Sequence, residues 1–174
     1  MIFRKIKLFH KNQSGFTLIE VIVSMAITGF IGLGANMSIV QLLNETSRNN
    51  DFTTASRNAM NAIYWIGRDA QMAQVISGAA GFPGTNGLSL SWIDWDNGAH
   101  TAVYSIEDGQ LWRNYTFDGT TKTLIAEYIN PSANMTSCTS VNGTLTLTIT
   151  SSVGGGSRVI DVTRIRAMTA RPLL

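Results

Sequence analysis

Glu20 is the side chain whose type and position most clearly suggest chemistry, because it lies inside an apolar run, GFTLIEVIVSM from Gly15 to Met25. An ionised carboxylate at the middle of a membrane-spanning helix costs about 2.5–3.5 kcal/mol on insertion scales. At the membrane edge the cost is smaller, and the amino terminus of a helix favours negative charge. Two readings follow. Glu20 is either an edge carboxylate held by the helix dipole, or a charge that waits for a cation. A cut just before Phe16 would place a new ammonium within a turn or so of Glu20. In a stack of parallel helices a neighbouring subunit could supply the ammonium instead.

The other reactive residue types are sparse. Cys138 is the single cysteine, which excludes an intrachain disulfide and a cysteine-based zinc cluster. His10 lies in a basic leader, so His100 alone remains for imidazole chemistry, too little for a multi-histidine metal site. Asp94-Trp95-Asp96-Asn97-Gly98 resembles part of a calcium loop, but the later ligands of that spacing are missing, and a turn with solvated carboxylates is the expected structure. Glu107-Asp108 before Gly109 also reads as turn chemistry. There is no phosphate-binding glycine loop, no G-x-S-x-G elbow and no H-E-x-x-H pair. No catalytic residue, metal or cofactor is therefore expected, and the chain reads as a non-enzyme. Trp92, Trp95, Trp112, Tyr104 and Tyr115 could stack on DNA or sugar if they shared a face. At β spacing they read instead as core or cross-strand pairs.

The elements that position Glu20 begin with a membrane segment. Val21–Leu43 carries no charge, and eleven of its residues are Val, Ile, Leu or Phe. As a helix it would rise roughly 35 Å, enough to span a hydrocarbon core with some tilt. Those eleven residues favour insertion by roughly 3–7 kcal/mol, from which Ser24, Thr28, Asn36, Ser38 and Gln41 subtract. Arg4, Lys5, Lys7 and Lys11 precede the run without one acid among them. From Phe16 onward the balance is nine basic against eleven acidic residues, which does not suit a general nucleic-acid binder. The positive-inside rule places the amino terminus in the cytoplasm and the remainder outside. A secretory signal peptide shares the basic start, but this apolar run is longer and ends in no A-x-A site.

The run Lys11-Asn12-Gln13-Ser14-Gly15-Phe16-Thr17-Leu18-Ile19-Glu20-Val21 resembles the amino terminus of type IV prepilins and type II secretion pseudopilins. That resemblance implies a leader ending at Gly15 and a cut after it by prepilin peptidase. It implies N-methylation of the new terminus at Phe16. It also implies that Glu20 sets the register of an entering subunit against a neighbour's terminal amine. The implied partners are prepilin peptidase, other pilin or pseudopilin subunits, an inner-membrane assembly platform, and membrane lipid before assembly. The implied location is the cytoplasmic membrane in a single pass, then a pilus or pseudopilus. The family's frequent helix-bending proline is missing, with Met37 in its neighbourhood. Gly29, Gly32 and Gly34 could loosen the helix instead, at roughly 1 kcal/mol each relative to Ala, or serve close helix packing.

Beyond the membrane segment, Phe52, Ala55, Ala59, Ala62/Ile63, Ile66, Ala70 and Ala73 recur at steps of three and four. They form the apolar face of an amphipathic helix, with Arg48, Arg57, Arg68 and Asp69 as polar side chains. The helix is expected over about Phe16 to Ser77, capped near Gly78. The cluster Gly78–Gly84 breaks it. Tyr64 and Trp65 read as packing against a sheet rather than as a contact patch. Afterwards the period becomes two, with strands expected at Leu88–Trp92, Thr101–Ile106, Gln110–Tyr115, Thr123–Ile129, Thr144–Thr150 and Arg158–Arg166. Asn97-Gly98, Asp108-Gly109, Asp118-Gly119 and Asn142-Gly143 are turn pairs that permit positive φ.

The expected architecture is α+β, type IV pilin-like: a long amino-terminal helix whose second half packs on an antiparallel sheet. The expected organisation is a leader at 1–15, a transmembrane and assembly half of the helix at 16–44, an amphipathic half at 45–78 and a β-rich head at 79–174. Arg57-Asn58-Ala59-Met60 with Ile63, Ile66, Arg68-Asp69 and Ala73, then Asp108-Gly109-Gln110-Leu111-Trp112-Arg113, also resembles the J- and W-type minor pilins of filament tips. The alternative in a different class is a membrane-tethered binding module, an adhesin or DNA receptor, that never polymerises.

Overall fold

The computed structural model describes residues 15–84, 87–156 and 158–171. Helix α1 runs over Leu18–Met72, and the chain divides into two compact units between Glu45 and Thr46. In the first unit, every described side chain is exposed. No proline falls between Phe16 and Met72, so nothing removes an amide donor from the helix interior.

In the second unit α1 buries a stripe of small residues. Ala55, Ala59, Ala62, Ile66, Ala70 and Ala73 are all buried, at the three-and-four spacing that keeps one face toward a sheet. Small side chains let strands approach closely. At Gly67 a Cβ would sit 3.3 Å from both the Arg166 guanidinium and the Met168 sulfur, so the strand lies close there. Phe52, expected on the buried face, is half exposed.

The helix ends earlier than its pattern suggests. Val75–Ser77 forms strand β1, not a last helical turn. These residues gain more by pairing with Ser89–Ser91, and Gln74 pins the exchange: its amide donates to Ser91 O at 2.9 Å and its Oε1 accepts from Ile93 N at 3.0 Å. Gly78 consequently does not cap α1; at φ 76° it precedes a short 3₁₀ turn, Ala79–Gly81.

Strands β2 (Leu88–Ile93), β3 (Ala99–Glu107), β4 (Gln110–Thr116) and β5 (Thr120–Ala126) continue an antiparallel meander in the order β1-β2-β3-β4-β5. A second antiparallel sheet holds β6 (Ser137–Val141), β7 (Thr144–Val153) and β8 (Ile160–Thr169). One sheet was the expectation; the structure has two, joined by the bridge Ile129↔Ser151. The reason lies at Tyr128-Ile129-Asn130-Pro131, where Tyr128 takes φ 59° and proline follows, which stops ladder pairing. The turn pairs behave as their chemistry requires: Asn97, Asp108, Gly109, Asn142 and Gly143 all have φ between 50° and 75°. Leu88, Leu90, Tyr104, Leu111, Leu145, Leu147 and Ile149 are fully buried and form one core with Ala59, Ala62, Ala70 and Ala73, while Ala55 packs apart from it with Val153 and Val162.

Asp69, read from sequence as one of the polar side chains of the helix, is instead 0% exposed. Its Oδ2 accepts from Tyr104 Oη at 2.6 Å and from Arg113 Nε at 2.6 Å, while Arg68 reaches Oδ1 at 3.3 Å. Arg113 lies 4.4 Å over the Tyr115 ring and Arg68 lies 4.1 Å over Trp65. Trp65 therefore packs as expected, whereas Tyr64 stays exposed. Burial works against the Arg113 charge, but the hydrogen bond and attraction to Asp69 outweigh it and raise its pKa. Burial, reinforced by the Asp69 carboxylate, pushes the Tyr104 phenol well above its ordinary value.

Cys138 is buried, and burial pushes its thiol up to about 12. An unfolded cysteine releases its proton near about 8.5 and an unfolded tyrosine near about 10. Between those values and the folded ones, only the unfolded state has lost the proton, so stability falls as pH rises. Denaturant melts of the full chain are expected to show constant stability from about pH 7 to about pH 8.5 and a steady decline above it. Constant stability between pH 9 and 11 would contradict this account of both groups.

Candidate functional site

The start of α1 is built by a capping box. Thr17 precedes the first helical residue and Glu20 stands three positions later. The Thr17 amide donates to Glu20 Oε2 at 2.9 Å, and the Thr17 hydroxyl donates to the same oxygen at 2.8 Å. The Glu20 amide faces Thr17 Oγ1 at 3.4 Å, and the Val21 amide reaches Thr17 O at 3.3 Å. Two amide groups that the helix leaves without partners are thus served. Glu20 Oε1 has no partner among the described residues. The carboxylate also sits where the helix dipole favours negative charge. Gly15 and Phe16 lie just outside the helix, with Phe16 86% exposed. The Gly15–Phe16 peptide bond is consequently in non-helical, accessible chain one turn from Glu20.

Four polar residues of the apolar run bond within the helix. Ser24 Oγ donates to Glu20 O at 2.7 Å and Thr28 Oγ1 to Ser24 O at 2.8 Å. Asn36 Nδ2 donates to Gly32 O at 2.9 Å and Ser38 Oγ to Gly34 O at 3.0 Å. Four of the five polar side chains of the run, all but Gln41, thus have a donor bonded four residues back instead of entering hydrocarbon unpaired. That lowers the insertion penalty anticipated from composition. Around them Leu18, Ile19, Ile22, Phe30, Ile31, Leu33, Ile39 and Leu43 are all exposed, and a Cβ at Gly29, Gly32 or Gly34 would meet nothing. Between Phe16 and Asn44, Glu20 is the only charged side chain. The leader residues Arg4, Lys5, Lys7 and Lys11 lie outside the described residues.

Elsewhere three carboxylates have local partners. Asp96 Oδ1 accepts from the Gly98 amide at 3.2 Å, and Asp94 Oδ2 lies 2.8 Å from His100 Nε2. Lys122 bonds Glu107 at 2.8 Å and, with Ser105, holds that carboxyl below its usual range. Among the described residues no group of three His, Cys, Asp or Glu side chains is placed to hold a metal ion. The aromatics do not share one face: Trp92 and Tyr104 are buried, whereas Trp95 is 95% exposed.

A long apolar helix at the amino terminus, long enough to cross a membrane, followed by antiparallel β-sheets, is a pilin-like α+β architecture. Residues 10–36 match the prokaryotic N-terminal methylation motif, the prepilin-type cleavage and methylation signature. That match covers Gly15, Phe16 and Glu20 and stops inside α1. It supports a cleaved, methylated subunit of the type IV pilin and pseudopilin kind, and implies processing by prepilin peptidase and assembly with other pilin subunits. No curated protein and no solved structure matches the chain.

The sequence reading missed the capping function of Glu20, although the T-x-x-E spacing carries it. It also missed the buried Asp69 cluster, whose signal was that Asp69 lies three residues after Ile66 and four before Ala73, on the buried face.

Proposed function

We propose that this chain is a structural subunit of a type IV pilus or type II secretion pseudopilus, in the role of a minor pilin or pseudopilin. Prepilin peptidase cuts it after Gly15 and methylates Phe16. Arg4, Lys5, Lys7 and Lys11 hold the leader on the cytoplasmic side, and the inner-membrane assembly platform then draws the helix out of lipid. The single observation that carries this reading is Glu20: the only charged side chain between Phe16 and Asn44, in the exposed apolar part of α1, fixed by the Thr17 capping box one turn from Phe16, inside a matched methylation motif.

The physical logic is an exchange of surroundings. An exposed apolar surface from Phe16 to Leu43 is stable in lipid or against similar helices, not in water. The back-bonded Ser24, Thr28, Asn36 and Ser38 permit residence in the bilayer without binding the helix there by partners of its own. On assembly, Glu20 Oε1 meets the Phe16 ammonium of a neighbour, so a carboxylate that was costly in lipid becomes one half of an ion pair. The tethered-module alternative shares the anchor but lacks these helix contacts. Photo-crosslinkers placed singly along Val21–Leu43 in cells with the assembly machinery are expected to capture other pilin subunits on one or more helix faces. Capture of lipid alone at every position would favour the tether.

A further inference from the structure

We propose that His100 is a proton-operated clasp of the head. Charged, it holds the Asp94–Gly98 turn, which carries Trp95, closed through Asp94; when it loses the proton, the turn loosens. The inference rests on contacts within the head unit and is independent of the assembly reading.

The ring is built into the sheet. His100 is 6% exposed. It stacks on Trp92, its register partner on β2, with centroids 5.3 Å apart and planes 8° apart, and on Phe117 at 4.2 Å and 12°. Tyr115 on β4 stacks at 5.9 Å and 19°, and its hydroxyl oxygen lies 2.6 Å from Nδ1. That contact suits both protonation states, because a phenol hydroxyl donates to a bare ring nitrogen and accepts from a protonated one. Tyr115 therefore fixes the ring without selecting its charge.

The other nitrogen discriminates. Nε2 lies 2.8 Å from Asp94 Oδ2. The pair lacks the alignment of a hydrogen bond, and Nε2 is buried with no hydrogen-bond partner among the described residues. A neutral ring leaves a buried polar atom unserved there, which is costly. An imidazolium instead meets a carboxylate at contact distance, and Coulomb attraction does not require that alignment. The proton thus decides whether Asp94 and His100 attract.

The other charges around the ring are engaged elsewhere. Asp96 Oδ1 accepts from the Gly98 amide at 3.2 Å. Arg113 on β4 lies 4.4 Å over the Tyr115 ring, with its Nε held by Asp69 of α1 at 2.6 Å. Among the described residues no acid besides Asp94 forms an ion pair with His100.

The turn that the clasp holds has little else to secure it. The Asp94 amide donates to Gly98 O at 2.9 Å and the Asn97 amide to Asp94 O at 3.1 Å, with Asn97 at φ 62°. A Cβ on Gly98 would sit 2.8 Å from the Phe117 ring and 3.5 Å from His100 Nε2, so the turn lies tight against the stack. Trp95 is 95% exposed and contributes no packing. Losing the Asp94–His100 attraction consequently opens the turn locally while the sheet stays folded. Imidazoles are the side chains that titrate nearest neutrality, so the presentation of Trp95 follows the acidity of the surroundings. At the acid end, protonation of Asp94 breaks the same pair, so closure is greatest between the two titrations.

Amide hydrogen-exchange protection at Asp94 and Asn97, followed by NMR across pH on the full chain in detergent, tests this. The His100 ring resonances are recorded in the same samples. Protection is expected to fall by about two- to fivefold as His100 loses its proton, the range of a partly exposed ion pair, with the midpoint of the ring titration. Asp94→Asn removes the charge and should abolish this dependence. Asp96→Asn, whose carboxamide oxygen can still accept from the Gly98 amide, should keep it. Protection that ignores the His100 titration, or a ring that takes up no proton between about pH 4 and pH 9, would overturn the clasp. So would an Asp94→Asn variant that keeps the dependence or an Asp96→Asn variant that loses it.

Discussion

Glu20→Ala is expected to leave leader removal largely intact and to abolish incorporation into filaments. The variant loses both functions of the carboxylate: the cap on the Thr17 amide and the negative charge offered to a neighbouring amine. Loss of the cap alone costs about 1 kcal/mol of helix stability, too little to stop a helix of 55 residues from forming. Loss of the charge removes the ion pair that fixes register in a low-dielectric helix bundle. Breaking such a buried pair costs about 3–5 kcal/mol, which at roughly 1.4 kcal/mol per decade is about a hundredfold or more in occupancy. Glu20→Gln separates the two, because glutamine also serves at this position of a capping box. It should cap normally and still fail to assemble. Quantifying processed and filament-bound protein in the same cells reads both steps. Normal incorporation of Glu20→Gln would show that the side chain acts as a cap and not as a charge.

Asp69→Ala is expected to destabilise the head unit by about 3–5 kcal/mol, because it strands the buried Arg113 guanidinium and leaves the Tyr104 hydroxyl without its acceptor. A domain of ordinary stability holds only about 5–15 kcal/mol in total, so much of it would be lost. Asp69→Asn should be milder for Tyr104, since the carboxamide oxygen can still accept, but it leaves Arg113 without a counter-charge. Arg113→Met combined with Asp69→Leu removes the charge pair altogether and should recover part of the loss. Urea denaturation of the full chain in detergent measures the series. An Asp69→Ala variant within 1 kcal/mol of the parent would show that the cluster contributes little.

Much of the architecture is legible without coordinates, for identifiable reasons. The apolar run from Val21 to Leu43 and the alanine stripe from Ala55 to Ala73 declare α1 through periodicity, and the Asn-Gly and Asp-Gly pairs place the hairpins because few other pairs accept positive φ. Strand β1 is hidden because three residues show no period and Val75-Ile76 simply extends the helical pattern. Strand β6 is hidden because Ser137–Val141 offers one buried residue, Cys138, among polar neighbours. The division into two sheets depends on how Tyr128–Pro131 bends and pairs, which no local pattern encodes. At the candidate site, Gly15, Phe16 and Glu20 stand out as residue types in sequence order. The Asp69 cluster depends on Tyr104 and Arg113 arriving from 35 and 44 residues away. Helix phase alone would place Asp69 inside; its partners come only from the fold.

The most direct measurement is the intact mass and amino-terminal peptide of the protein from cells with active prepilin peptidase. The account predicts a chain that begins at Phe16 and carries one methyl group on its terminal nitrogen. A chain that still carries Arg4, Lys5, Lys7 and Lys11, or one that begins anywhere other than Phe16, would contradict it.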